Sequence, residues 1–309
     1  MLKKLLNSMR MQFTRLNNLV GLDEYALQGA GNNSQLFVTR RRNRMIKNAI
    51  HSIVFFDLDG TLFDQTGKVP VEVIEQIKTM ESRGILPVIS SGRSPFEIES
   101  TLKATGINSI VAMTGALVII DGDIVYRSVI DKNTIDEFKD SIDLDKTPIA
   151  FYNGSENVVS SHGDNVLATY KHIHSPIPRV DPEFYNNNEV NMMLIFSQDD
   201  EMGLQSHYRG SLQFFRNIPY AMDITAYGVS KASGLKHVMD LYPEAKTYAF
   251  GDGKNDLPMA EVVDQFVAMG NAADDVKTVA NFVTTTNAER GIINGLRHYG
   301  LDSDSNNGD

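Results

Sequence analysis

The chain has 309 residues, 42% hydrophobic and 22% charged, with a formal net charge of −10 and no cysteine. The absence of cysteine excludes disulfides and thiolate metal sites and fits a reducing, cytoplasmic setting, while the acidic balance argues against nucleic acid as the main partner. No apolar run reaches the ~18 residues of a membrane helix; the longest, 110–120, is broken by Thr114 and Gly115. The length points to two domains.

The charge is unevenly spread. Residues 1–50 carry nine Lys/Arg against two Asp/Glu, and the remainder carries 20 against 37. Segment 1–45 is a basic extension, expected to be poorly ordered, with a short amphipathic helix possible over 3–20. It reads as a targeting presequence, a basic arm, or a leader upstream of Met45.

From residue 50 the pattern sharpens. Residues 52–56 (SIVFF) form a buried strand. Val73, Ile74, Ile77 and Met80 recur at helical spacing over 71–82, and Gly84 ends that helix. The next strand, 85–89, contains Pro87, which argues against a fully ladder-bonded central position. A helix over 96–105 stops at Gly106, and 110–112 is a third strand. Strand–helix alternation of this kind predicts an α/β fold with a doubly wound, mainly parallel sheet. Residues 117–120 and 124–129 flank Asp121-Gly122-Asp123 as a hairpin. Residues 131–221 alternate strand-like pieces (192–196), helical pieces (201–209) and polar loops (Asn186 to Asn188). Alternation resumes with strands 247–250, 265–268 and 282–284. The predicted organisation is a core of 46–130 and 222–300, an inserted α+β domain of 131–221, and a polar tail of 301–309.

Two carboxylate segments follow strands directly. In Asp57-Leu58-Asp59-Gly60-Thr61, Asp57 is placed to attack phosphorus and Asp59 to pass protons. Alone, this motif is also a calcium-loop fragment or a turn. The second segment, Gly251-Asp252-Gly253-Lys254-Asn255-Asp256, is by itself an acidic turn and helix cap. If the two converge, four Asp share one site, which demands a hard divalent cation; oxygen-only ligands favour magnesium. Ser90-Ser91-Gly92-Arg93 follows the second strand and offers a hydroxyl and backbone N–H groups to phosphate. Lys231, after Ser230, opens a helix; it could neutralise phosphate charge, although a lysine at a helix start is more often solvated.

With these motifs in order, the sequence resembles the haloacid dehalogenase superfamily, and within it the Cof-type phosphatases with a type IIB cap. FFDLDGTL (55–62), SSGR (90–93), GVSKASGL (228–235) and GDGKNDLPM (251–259) look like the family's four motifs, and 268–292 like its usual tail. The resemblance implies Asp57 as nucleophile and magnesium ligand. Asp59 would be general acid/base, ligating magnesium through its backbone carbonyl. Asp252 would be the third ligand, and Asp256 would support the metal shell directly or through water. Ser91, Gly92, Lys231 and Asn255 would hold phosphate with the Leu58 backbone. Thr114 stands where many members carry Asn, and Ser91 where Thr is commoner. The implied activity is magnesium-dependent hydrolysis of a small-molecule phosphate ester, such as a sugar, pyridoxal or flavin-related phosphate, with no nucleic acid or membrane partner and no assigned oligomeric state. A sugar phosphomutase, or a retired enzyme acting as a binding protein, are the alternatives. In the cap, His162, His172, His174, Tyr152, Tyr170 and Tyr208 are candidate leaving-group contacts, although each is more commonly an ordinary surface or core residue.

No motif lies in 1–45. A protein beginning at Met45 is therefore expected to turn over with the kcat/KM of the full chain. A soluble, folded but inactive truncation would place 1–45 in the site or in an essential interface.

Overall fold

In the computed structural model, which describes residues 50–303, the strands form two separate sheets. The expected basic extension 1–45 lies outside the described residues.

The larger sheet begins with β1 (Ser52–Phe56) and β2 (Ile85–Ser90), joined through α1 (Val71–Met80). Then come α2 (Glu99–Thr105), β3 (Ile110–Ala112), β4 (Leu117–Ile120) and β5 (Asp123–Arg127). Every residue of β1 is buried. Val54 and Phe56 pack on one side with Val73 and Ile77 of α1, while Ile53 and Phe55 face the other side. Full burial of each such side chain contributes about 1.5–3 kcal/mol, so a strand apolar on both faces needs helices on both. Pro87 lies in a central strand, paired with Val54 of β1, and as the sequence leads one to expect its position is not fully ladder-bonded. The Ile89 and Ser91 amides point to the β3 side, donating to Ser109 and Val111. By alternation the Pro87 nitrogen faces that side too, where β3 pairs only with Ile89 and Ser90, so no ladder bond is lost. Asp121 and Gly122 turn the β4–β5 hairpin with φ of 53° and 84°, both left-handed, as a tight turn between antiparallel strands requires.

The chain then enters the second sheet through α3 (Lys132–Asp140), β6 (Ile149–Tyr152), β7 (Asn157–Val159) and α4 (Asp164–His172). It continues with β8 (Met192–Ile195), α5 (Met202–His207), β9 (Leu212–Ile218) and β10 (Ala221–Ala226). These strands form an antiparallel sheet in the order β7-β6-β8-β10-β9. Ile135 and Phe138 of α3 cover one face with Phe151, Met193, Met222 and Ile224; Val166 and Tyr170 of α4 cover the other with Tyr152 and Leu194. The expected boundary at 221 falls short. Residues 221–226 belong to this second sheet because Met222 and Ile224 complete its apolar face.

The larger sheet is completed by α6 (Lys231–Met239), β11 (Lys246–Gly251), α7 (Leu257–Ala260), β12 (Gln265–Ala268), α8 (Asp274–Val279), β13 (Phe282–Val283) and α9 (Gly291–His298). Its order is β13-β12-β11-β1-β2-β3-β4-β5, parallel from β13 to β3 and antiparallel beyond. The predicted tail is packed at its start. Leu301 and Asp302 are buried, and the Ser303 amide donates to Gln76 Oε1, so the fold runs at least to residue 303. Among the described residues no helix is long and apolar enough to cross a membrane.

Candidate active site

The central strands β1 and β11 run side by side, and both end in acidic loops. The Asp57 amide donates to Phe250 O at 3.0 Å, which carries the pairing one residue past β1 and fixes Asp57 beside the end of β11. The chain then leaves the strand in an irregular turn over Leu58–Leu62, with Gly60 at φ 80°. A side chain at Gly60 would collide with the Asp252 carboxylate, so glycine answers both the left-handed φ and the close approach. The turn is tied down by Asn271 Nδ2 donating to Gly60 O at 2.8 Å and by Thr61 Oγ1 donating to Asp252 Oδ1 at 3.3 Å.

Asp256 organises the second loop. Its Oδ2 accepts from the Asp252 and Gly253 amides at 3.0 Å each, and its Oδ1 from Lys231 Nζ at 2.7 Å. Lys231 Nζ also donates to Asp57 Oδ1 at 2.5 Å. Lys231 opens α6, whose N-cap Ser230 accepts from the Ser233 amide at 3.2 Å. Its side chain is fully buried, unlike the solvated lysine usual at a helix start.

Carboxylate oxygens of Asp57, Asp252 and Asp256 lie within 4.8 Å of one another. Burial, and next the neighbouring Asp256 charge, raise the Asp57 carboxyl well above its ordinary range, outweighing Lys231. Burial and Asp256 also push Asp252 up to about 6. Burial alone would lower Lys231, but Asp256 and Asp57 overcome it and hold the ammonium protonated. Fully ionised, three carboxylates and one ammonium would leave about two negative charges uncompensated in a desolvated site, which is what raises these carboxyls. An oxygen-only donor set with that surplus fits a hard divalent cation.

Asp59 points elsewhere. Its carboxylate is more than half exposed and is gripped by Arg93, Nε to Oδ2 at 2.8 Å and Nη2 to Oδ1 at 2.7 Å. The turn after β1 thus parts two carboxylates that strict alternation would have aligned. Arg93 Nη2 also donates to Ile173 O at 3.2 Å, just past α4 of the second sheet, and its guanidinium lies over the Phe63 ring at 5.7 Å. Sequence reasoning gives Arg93 no role. The available signal is its place as the fourth residue of SSGR. Ser91 is buried; its Oγ accepts from the Arg93 amide at 3.1 Å, and its own amide donates to Val111 O. Gly92, Leu58 and the half-buried Asn255 lie on the loops after β2, β1 and β11.

The cap candidates divide. Tyr152 and Tyr170 are buried, with their hydroxyls 2.7 Å apart, and Tyr208 packs on Phe138. His162 Nε2 pairs with Pro178 O. These four side chains build the second domain. His172 has its ring 6.3 Å from that of Tyr220, and His174 sits at φ 54° just beyond α4.

The sequence model of haloacid dehalogenase-like hydrolases matches residues 54–296. The chain belongs to this family. Among its relatives, the putative phosphatase YkrA of Bacillus subtilis is 33% identical over 255 residues, covering 81% of this chain and 98% of YkrA. Among solved structures of the family, the phosphatase BT1666 of Bacteroides thetaiotaomicron superposes with a TM-score of 0.74 at 26% identity, covering 85% of this chain and 100% of the other. The subclass IIB sugar phosphatase BT4131 superposes with a TM-score of 0.73 at 28% identity, covering 81% and 99%. The haloacid dehalogenase-like match takes in both acidic loops, SSGR and Lys231.

Proposed function

We propose that this phosphatase removes phosphate from a small sugar- or polyol-type ester through a phospho-aspartyl intermediate on Asp57, with magnesium as its cofactor. The observation that carries the reading is the buried Asp57 carboxylate, held by Lys231 at the mouth of the central strands beside Asp252. In the first step an Asp57 oxygen bonds to phosphorus as the ester P–O bond breaks, and Asp59 gives its proton to the leaving oxygen. In the second, Asp59 takes a proton from water, which bonds to phosphorus and releases Asp57 and inorganic phosphate. Arg93, which grips both Asp59 oxygens in this structure, lets go of the one that carries the proton as Asp59 turns to the leaving oxygen. Lys231, Asn255 and the Leu58, Ser91 and Gly92 segments hold the phosphoryl oxygens. Asp256 keeps Lys231 charged and the Asp252 loop folded. Asp57, the Asp59 carbonyl and Asp252 would hold magnesium, with Asp256 supporting it. Bound there, the ion would offset the negative charge that phosphate adds to these carboxylates.

The sugar or polyol class rests on the relatives. BT4131 is named as a sugar phosphatase, and the B. subtilis relatives YwtE and YitU, 25% and 27% identical, are named as phosphatases of a phosphoribitylamino-uracil. Phosphate release from p-nitrophenyl phosphate and from a panel of phosphorylated metabolites tests the reading. A mutase would instead return the phosphoryl group to sugar, and a binding protein would release none.

Selectivity is assigned to the second domain, since core groups meet only the phosphate and cation common to all esters. Exchanging residues 131–226 for a relative's cap is expected to reorder the substrate panel. Each ~1.4 kcal/mol by which the new cap holds a leaving group less tightly in the transition state lowers kcat/KM about tenfold. The dependence on Asp57 should remain. An unchanged ranking in a well-folded chimera would place selectivity in the core.

A further inference from the structure

One hydrogen bond joins the second domain to the side chain that grips Asp59. Ile173 is the C-cap of α4, and the carbonyls of a helix's last turn have no partner within the helix. Ile173 O finds one outside it, accepting from Arg93 Nη2 at 3.2 Å. The same Nη2 donates to Asp59 Oδ1 at 2.7 Å, and Nε to Oδ2 at 2.8 Å, so a single guanidinium holds a carbonyl of the second domain and the Asp59 carboxylate at once. The Arg93 side chain is only 17% exposed, that of Asp59 59%; the clamp is enclosed and the acid stays open to substrate. The direction of the Ile173 carbonyl is set at the next residue. The peptide plane that carries it turns about φ of His174, which is 54°, and the Ser175 amide then closes the helix end on Tyr170 O at 3.0 Å. Glycine is the usual residue at such a left-handed helix end; an exposed histidine stands here instead. The chain thus tolerates local strain where it aims this carbonyl at Arg93.

This link bears on the proton transfer. As the ester P–O bond breaks, Asp59 turns its protonated oxygen to the leaving oxygen, and its other oxygen stays on the guanidinium as a pivot. The pivot stands where the remaining partners of Arg93 hold it. One is the Phe63 ring, 5.7 Å away, a contact tolerant of rotation. The other is the Ile173 carbonyl, whose hydrogen bond is directional. Resting on the phosphatase reading above, we propose that Arg93 is a positioning residue through which the docked second domain aims the proton of Asp59. The Ile173 carbonyl fixes the guanidinium, and the guanidinium fixes the acid. An ester whose leaving group must take up a proton is then cleaved efficiently only with the second domain in place. An ester whose leaving group departs as a stable anion escapes that control.

The test uses the full chain with benzyl phosphate and glucose 6-phosphate, whose alcohols leave with a proton, and p-nitrophenyl phosphate, close in size to the benzyl ester, whose nitrophenolate leaves without one. The readout is the ratio of kcat/KM for the better alkyl ester to that for p-nitrophenyl phosphate, because kcat/KM covers only the steps up to ester cleavage. Substitutions at His174 move the carbonyl and leave Arg93 and Asp59 in place. His174→Pro, with φ fixed at about −65°, is expected to lower the ratio about tenfold. His174→Val, β-branched and averse to left-handed φ, should lower it less, and His174→Gly should keep it. Arg93→Ala is expected to lower it about 10–100-fold, the range for a hydrogen bond to a charged group. Adding His174→Pro to Arg93→Ala should lower it no further, since the carbonyl acts through the guanidinium. An unchanged ratio in Arg93→Ala, equal losses on both kinds of ester in the folded His174 variants, or a further fall in the double variant would overturn the proposal and leave Arg93 a structural tie between the domains. Release from p-nitrophenyl phosphate alone would mean that Asp59 delivers no proton, and would overturn it too. Failure of the unaltered protein to release phosphate from any ester would instead remove the phosphatase reading itself, and this assignment with it.

Discussion

Asp57→Asn is expected to lower kcat by about 10⁴-fold or more, the scale on which loss of a covalent nucleophile is felt, and to leave the fold intact. The amide has the shape of the carboxylate but cannot form an acyl phosphate. Lys231 keeps its bond to Asp256, so no buried ammonium is orphaned. The effect on stability has a definite sign. Burial and Asp256 raise the Asp57 pKa in the folded protein, so its ionised form is penalised there relative to the unfolded chain. The stability it contributes is present at acid pH and lost as pH rises through the folded value. Removing that charge should keep or raise Tm when melting is followed at neutral pH in EDTA. A pure variant with unaltered turnover would defeat the nucleophile assignment. A lower Tm would show that the site does not strain against its own charge.

Stripping the divalent cation is expected to abolish turnover, and magnesium to restore it. The site already carries three carboxylates against one ammonium, and a phosphate ester brings further negative charge. A single like-charge pair at ~4 Å costs about 4 kcal/mol at an effective dielectric of ~20, roughly a thousandfold in rate or binding. Lys231 is already shared between two carboxylates and cannot offset this alone. Calcium should support turnover poorly, because its larger and more variable shell tolerates geometries that misplace phosphate against Asp57. Phosphate release from EDTA-treated protein, with each metal added back, is the measurement. Undiminished release without any divalent cation, or full release in calcium alone, would contradict the account.

Much of the site is legible in the sequence because it is made of strand ends. The runs before Asp57 and Asp252 are short, apolar and β-branched or aromatic, so parallel pairing of β1 and β11 sets the two loops side by side. What escapes depends on contacts between distant segments. The burial of Lys231 follows from α6 packing its first turn tightly on Gly115, in the turn after β3, while the ammonium reaches across to Asp57 and Asp256, which a helix-start pattern does not reveal. The role of Arg93 emerges only when Ile173, 80 residues on, supplies its carbonyl. Asp223 meets Thr114 across 109 residues, and in sequence it falls to the core because β10 runs without a break in pattern into Gly228 and Ser230. Pro87 is legible in part: proline signals a missing amide but not which side of the strand it faces, and here that side lies beyond the reach of β3.

The covalent bond between phosphorus and Asp57 is tested most directly in Asp59→Asn with p-nitrophenyl phosphate and magnesium. Nitrophenolate leaves without a proton, so the first step proceeds, while release of the acyl phosphate lacks its base. Acid quenching, proteolysis and mass spectrometry of the peptide containing Asp57 read the outcome. A burst of nitrophenolate with a hydroxylamine-sensitive phosphoryl group on Asp57, absent when Asp57→Asn is added, is the predicted result. A burst that leaves Asp57 unmodified, or places the phosphoryl group on another residue, would contradict it.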